Sequence, residues 1–327
     1  MKNTMENNIS PTDVGANRSK VRVRELDFLK GVLILLVIAF HLVHFSTTYP
    51  YAKQVVYTFH MPAFLLLSGY LMNFEKGGRD YLHTLLWLFV PYVIMESGYI
   101  IMASILPIRE HIDHLTVGMF IDKLLLHPIG PYWYLQTLVI CGALWQALRH
   151  WSVLGLPVKV LLYIFIVLLA GAGEVVTPAC AMYFLGGVLL RKYNVSFVRF
   201  FEGGWVALLM FAYLITNVSN LDKATPMGML IVYTFVGACF FLYRYLPNVG
   251  QRLMEFFGKN SLVLYLFSPI FTILCKHLVP FLNFDPTGII FLILSLSVCV
   301  IGCLAIAKIL DFIGVSRYMF GRAKVLV

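Results

Sequence analysis

Charge is what this chain of 327 residues has least of: Asp, Glu, Lys and Arg make up 13% of it, and only 16 residues are acidic. A soluble domain carries about twice that share of charge. With 60% of residues hydrophobic and a mean hydropathy of +0.83, a water-soluble globular fold is excluded. Short alternating strands are missing as well. Apolar runs of about 20 residues recur instead, which excludes a membrane barrel and leaves a bundle of membrane-crossing helices. The six cysteines, Cys141, Cys180, Cys239, Cys275, Cys299 and Cys303, show neither metal-ligand spacing nor a disulfide framework. No internal repeat is evident, and no appended soluble domain reads out a signal. No cleavable leader is evident either. The first apolar run comes late, is long and lacks a small-residue cleavage site, so it is expected to stay as an anchor. Residues 1–22 are polar without an apolar period. They read as a disordered cytoplasmic tail ahead of one membrane domain over 23–327.

What is present is a series of ten apolar spans, roughly 27–48, 54–73, 82–106, 131–149, 157–173, 178–190, 204–219, 226–243, 260–281 and 287–311. The fold class is therefore an all-α integral membrane protein of about ten transmembrane helices. A net charge of +9 would suit nucleic acid, but the bases sit in the short links between spans. With the amino terminus inside, 20 of the 25 Lys and Arg fall on the cytoplasmic side, and Lys53, Arg109, Lys123, Lys223 and Lys276 fall on the other. That asymmetry obeys the positive-inside rule and puts both termini in the cytoplasm. The basic surplus is a topology signal, and nucleic acid is not expected as a partner.

The run RELDFLKGVLILLVIAFHLVHF at 24–45 organises the rest. Ionisable groups inside such a helix are expensive to bury and are functional candidates for that reason. Arg24, Asp27 and Lys30 recur every third residue. His41 follows Lys30 by about three turns, a rise of about 16 Å, so the lysine and the histidine share a face at different depths. In the second span His60 lies about 10 Å from the outer end, and His41 lies about 21 Å from the inner end of its own. Those depths nearly coincide in a hydrocarbon core about 30 Å thick. Glu96 in the third span lies about 21 Å from the cytoplasmic side. A lone carboxylate there is neutral or paired, and pairing with a histidine would orient the ring. The link 107–130 carries His111, Asp113 and His114 without a specific metal spacing and reads as a solvated external loop. Trp133 and Tyr134 in GPYWYLQT fit an interfacial aromatic belt or a stacking surface for a sugar. Glu174 is a second carboxylate on the external side.

Five blocks in order, LDFLKGVLILLVIAFH, FHMPAFLLLSGYLM, GPYWYLQTL, AMYFLGGVLLRKY and GKNSLVLYLFSP, make the chain resemble acyltransferase family 3. Its members are ten-helix membrane proteins that O-acylate cell-surface glycans, and the resemblance covers nearly the whole chain. It implies transfer of an acyl group, usually from acetyl-CoA in the cytoplasm, to a hydroxyl of an exported or lipid-linked saccharide. The setting would be the plasma (inner) membrane and its lipid, with no metal. The family's pattern of a basic residue, ten intervening positions and a histidine falls on Lys30 and His41, with lysine where many members have arginine. His41 is then expected in acyl transfer, with His60 and Glu96 as further catalytic candidates. Lys30, Arg79 and Lys259, with Asn260 beside the last, would meet the CoA end of the donor, and Trp133 and Tyr134 the saccharide. Two departures stand out. The basic cluster that often follows the SGYL block is thinned to Lys76 and Arg79, with His83 beyond. Ser268 occupies a position where many members have a histidine, so that position cannot act as a base. Making an ester from a thioester needs a base near neutrality, which histidine supplies.

Two other classes fit part of this pattern. Buried Glu96 and His41 among broken helices would suit a proton-coupled transporter or flippase for a glycan or small solute, although the absent repeat weighs against it. A membrane sensing module lacks a readout domain. Acyl-CoA-dependent labelling of glycan separates the enzyme from both.

Overall fold

The structure, a computed structural model, describes residues 22–106, 110–282 and 284–327. Among these the protein is built of helices and their links, with no strand. In order the helices are α1 (Arg24–His41), α2 (Val43–Thr48), α3 (Pro50–Leu71), α4 (Gly78–Ile105), α5 (Val117–Leu125), α6 (Trp133–His150), α7 (Leu156–Ala172), α8 (Pro178–Lys192), α9 (Phe197–Phe200), α10 (Gly204–Leu214), α11 (Pro226–Tyr245), α12 (Asn248–Lys259), α13 (Ser261–Leu274), α14 (Ile289–Phe312) and α15 (Ser316–Phe320). Short 3₁₀ stretches at Gly130–Tyr132, Val218–Asn220 and Cys275–Leu282 extend or join them. The expected tail over 1–22 lies outside the described residues except for Arg22.

α1 is apolar nearly all round after its first two turns, which is the pattern of a helix enclosed by others. It is the central helix, with α3, α11, α12, α13 and α14 packed around it. α7, α10 and α14 are as apolar but lie at the rim, where Leu161, Phe165, Trp205 and Ile301 are exposed. Such faces suit lipid rather than water. Among the described residues four helices are long and apolar enough by themselves to cross a membrane: α4, α11, α13 with its 3₁₀ continuation to Leu282, and α14. α7 and α10 are apolar and shorter.

Two expectations change. The first span does not run unbroken to residue 48: α1 stops at His41, Leu42 turns extended at φ −70° and ψ 102°, and the short α2 follows. The Leu42 amide closes the last turn of α1 on Ile38 O and Ala39 O, and the imidazole of His41 bonds the carbonyl of Val37 one turn back. The link read as a solvated loop over 107–130 contains α5, which Thr116 caps by accepting from the Met119 amide. Residues 107–109 of that link lie outside the described residues.

Two backbone crossings set the helix spacing. A Cβ on Gly31 of α1 would stand 2.0 Å from Met254 O, and one on Gly258 of α12 would stand 1.7 Å from Asp27 O. α3 and α8 meet the same way, Gly69 against Phe184 O and Gly187 against Leu66 O. Small residues let helices approach in lipid, where association rests on packing rather than on hydrophobic expulsion from water. A polar clamp reinforces the first crossing. Glu255 of α12 is buried and accepts from Arg24 Nε at 3.0 and 3.1 Å and from the Tyr243 hydroxyl at 2.8 Å. Burial opposes its charge, but the guanidinium and the hydroxyl outweigh that and hold its carboxyl below the usual carboxylate range.

Gly258→Ala must part α1 from α12, and is expected to cost about 1–3 kcal/mol, read as a lower thermal midpoint in detergent. Gly98→Ala, at a helical glycine with nothing within 4 Å, is expected to melt at or above wild type. Equal midpoints for the two variants would refute the close crossing.

Candidate active site

Both ends of the site lie on α1. Lys30 Nζ stands 2.7 Å from Asp27 Oδ1, and the same buried carboxylate also pairs with Arg22. Lys30 nevertheless lines a narrow, largely apolar cavity of about 170 Å³ together with Ser68, Leu71, Tyr134, Ser261 and Tyr265. Three turns further on, His41 lines a cavity of about 220 Å³ with Lys53, Tyr57, Glu110, Tyr265, Ser268 and Lys276. Tyr265 borders both spaces. Its hydroxyl donates to Pro131 O, and its ring lies 5.4 Å from that of Tyr134, whose hydroxyl shares a 2.7 Å hydrogen bond with Ser68 Oγ. Tyr265 thus borders both the lysine-lined space and the histidine-lined one, with Tyr134 beside it on the lysine side.

His41 Nδ1 lies 2.7 Å from Val37 O. Donation there fixes the Nδ1–H tautomer and leaves the basic lone pair on Nε2. His60 bonds Val56 O in the same way at 2.6 Å, but it is buried and lines neither cavity. The ring of Tyr57 lies near both histidines, at 6.3 Å from His41 and 5.1 Å from His60 between centroids.

Glu96 is fully buried at 0% exposure. Its Oε1 accepts from the Ile129 amide at 2.8 Å, and Oε2 has no hydrogen-bond partner among the described residues. The carboxylate therefore engages backbone and not an imidazole, contrary to the pairing that depth alone suggested. Depth places a residue along one helix; which neighbour it faces depends on how the helices are rotated. Glu96 reaches the His41 cavity through the loop it holds, because Gly130 and Pro131 line that cavity. Gly130 has φ +69° and packs on Tyr99 so tightly that a Cβ would come within 2.5 Å of the ring, so glycine is required twice over.

The remaining expected residues are dispersed. Arg79 is exposed on a shallow apolar groove with Leu82, His83 and Phe89. Lys259 is half-buried and lines neither α1 cavity. The amide of Asn260 donates to Phe256 O at 2.9 Å and Val327 O at 3.2 Å, and accepts from Val327 N at 3.0 Å, so both its ends serve the carboxyl-terminal segment. Trp133 and Tyr134, adjacent in sequence, face different spaces. Tyr134 lines the Lys30 cavity, whereas Trp133 lines an open pocket of about 250 Å³ with Lys123, His127, Gln136 and Glu174. Sequence reasoning did not single out Tyr265, Tyr57, Lys53 or Lys276. The two lysines had a signal: both belong to the five bases on the side where the positive-inside rule depletes them, and both line the His41 cavity. Among the described residues no three His, Cys, Asp or Glu side chains are grouped to hold a metal.

Apolar helices enclosing paired internal cavities are the architecture of a membrane protein that admits a ligand between its helices. Residues 23–308 match the family model described as an acyltransferase domain, so the chain belongs to acyltransferase family 3 and is a membrane acyltransferase. Neither a curated protein nor a solved structure matches it.

Two outcomes follow from this geometry. Glu96→Gln keeps an oxygen for the Ile129 amide and is expected to hold activity within a few-fold, whereas Glu96→Leu strands a buried N–H at a cost of about 1–3 kcal/mol and should lower both stability and turnover. A Gln variant as inactive as the Leu variant, yet as stable as wild type, would make the carboxylate itself chemical. His127 is bonded to Gly173 O at 3.0 Å and Asp122 Oδ1 at 2.7 Å, and these, the carbonyl first, raise its titration above the ordinary value. A raised value means that the tie is at full strength below the unfolded histidine's pKa of about 6.5 and is lost as pH rises through the folded one. Proteolysis near α5 should therefore be faster at alkaline than at mildly acidic pH after correction for protease activity, and His127→Gln should abolish the difference.

Proposed function

We propose that the protein is an acyl-CoA-dependent O-acyltransferase that moves an acyl group, acetyl in the first instance, from cytoplasmic acyl-CoA to a hydroxyl of an exported or lipid-linked cell-surface saccharide. It would sit in the plasma (inner) membrane with about ten crossings and both termini in the cytoplasm. The observation that carries this reading is that Lys30 and His41, on one helix, line two cavities that share Tyr265. A donor thioester extending past Lys30 and a hydroxyl approaching beside Lys53 and Lys276 would meet at that tyrosine.

In the proposed reaction His41 Nε2 takes the proton of the acceptor hydroxyl while its oxygen attacks the thioester carbonyl. The C–S bond then breaks, an ester C–O bond remains, and the CoA sulfur leaves with the proton that His41 returns. The Val37 carbonyl keeps the ring in the tautomer this requires. Negative charge developing on the carbonyl oxygen would be costly among apolar helices; the Ser268 hydroxyl and the two lysines line the same cavity and would receive it, the Tyr265 proton being held by Pro131 O. Lys30, with Arg79 and Lys259 at the same end of the bundle, would attract the CoA phosphates. Trp133 is assigned to the saccharide side. Tyr134, in the Lys30 cavity, is reassigned to the donor.

Purified protein in detergent with radiolabelled acetyl-CoA and a saccharide panel is expected to consume thioester and label glycan. His41→Ala should lose about 10²–10⁴-fold in turnover, the contribution of a positioned general base. Lys30→Gln should raise KM for the donor more than it lowers kcat. Thioester turnover that survives His41→Ala in a folded protein would sink the assignment of the base. Solute uptake into liposomes without any thioester turnover would favour a transporter instead.

A further inference from the structure

Four cations outside the α1 cavities converge on one pocket. Arg149 at the end of α6, Lys159 in the first turn of α7, and Arg191 and Lys192 at the end of α8 line a cavity of about 180 Å³, walled by the buried Phe74, Trp145 and Val188. A single carboxylate, Glu75, borders it. None of the four cations forms an ion pair with a described residue, whereas Arg22, Arg24, Lys30 and Arg244 elsewhere each hold one. Two are fixed by backbone: Arg191 Nη1 donates to Tyr70 O at 3.0 Å, and Lys159 Nζ to Arg149 O at 3.2 Å. Like charges held together in this way repel unless an anion sits among them.

The pocket's place indicates which anion. It opens at the end of the bundle that carries Lys30, since Leu71, three residues before Phe74, lines the Lys30 cavity. α7 leads away from it with Val158, Leu161 and Phe165 exposed on an apolar face that only lipid satisfies. A ligand with a phosphate at the pocket and acyl tails along α7 meets both surfaces. Basic pockets between membrane helices at the cytoplasmic face hold such headgroups. The geometry points to this pocket as a binding site for the phosphate of an anionic phospholipid headgroup, separate from the acyl-transfer cavities. Free phosphate shares the chemistry but makes no use of the α7 face.

The test uses the whole protein, delipidated in neutral detergent, with tryptophan emission and thermal midpoint as readouts, since Trp145 forms a wall. Dioctanoyl phosphatidylglycerol is expected to bind saturably and raise the midpoint, and dioctanoyl phosphatidylcholine to do neither. Arg149→Gln with Lys192→Gln, both exposed and with side chains free of bonds to the fold, should weaken phosphatidylglycerol at least tenfold without lowering the midpoint of the lipid-free protein. Arg252→Gln with Arg317→Gln, which removes equal charge outside the pocket, should leave binding unchanged. Phosphatidylcholine as effective as phosphatidylglycerol, or equal losses in the two double variants, would overturn the site. Inorganic pyrophosphate binding as tightly as the lipid, and lost in the first variant alone, would overturn the lipid in favour of a soluble phosphoester.

Discussion

The crossing of α1 over α12 governs where polar groups can stand in this bundle. Gly31 and Gly258 bring two backbones into contact beside Asp27, so the first turns of α1 are held against a helix that supplies Glu255. Arg24 is drawn to Glu255 and Arg22 to Asp27, and Asp27 in turn takes Lys30. Without the contact the Arg24–Glu255 pair would be lost, while the Asp27 pairs with Arg22 and Lys30 are local to the start of α1. The lysine that lines the first cavity is held by Asp27, one turn away on its own helix.

Beyond that end many buried polar side chains are satisfied by backbone carbonyls or amides, several of them at a helix end or in a loop. Gln136 donates to Leu125 O and Leu126 O at the end of α5, and Asp311 accepts from Val325 N and Leu326 N. Glu96 holds the Ile129 amide, Tyr265 holds Pro131 O, and the Tyr132 hydroxyl donates to Leu266 O at 2.8 Å. The stretch 129–132 is thereby tied to α4 through Ile129 and to α13 through Pro131 and Tyr132. An irregular segment at membrane depth survives only when its backbone groups are occupied in this way. The His41 cavity gains a wall that apolar packing alone would leave mobile.

The all-helical class was legible because the apolar runs are long, and a run of that length has few alternatives in lipid; four of them stand among the described residues as helices long enough to cross it. That Lys30 and His41 stand about three turns apart on one helix was legible for a related reason, but the single groove expected for them is two cavities that share Tyr265. Everything that depended on two helices was harder. His60 and Glu96 were expected at the depth of His41, yet His60 lines neither cavity and Glu96 bonds a loop amide, because a helix's rotation about its own axis leaves no mark in its depth. Asn260 looked like a ligand contact beside Lys259, and only the folded carboxyl-terminal segment reveals that Val327 occupies its amide. The break at Leu42 was hidden for the opposite reason, since nothing in an unbroken apolar run signals it.

The bond from His41 to Val37 O bears on how a lone imidazole can work inside a membrane. Where a histidine is oriented by a carboxylate, the pair carries a negative charge that must itself be buried, and among apolar helices such a charge is expensive. His41 is oriented by Val37 O, a neutral acceptor already present at the last turn of α1. The ring gains a fixed tautomer and direction without importing charge, and Glu96 is left to shape the opposite wall through Ile129. In the proposed reaction the proton taken up by Nε2 would then be the only new charge on the ring. With a carbonyl rather than a carboxylate at Nδ1, no ion pair holds that proton in place, so it can be handed on to the departing sulfur.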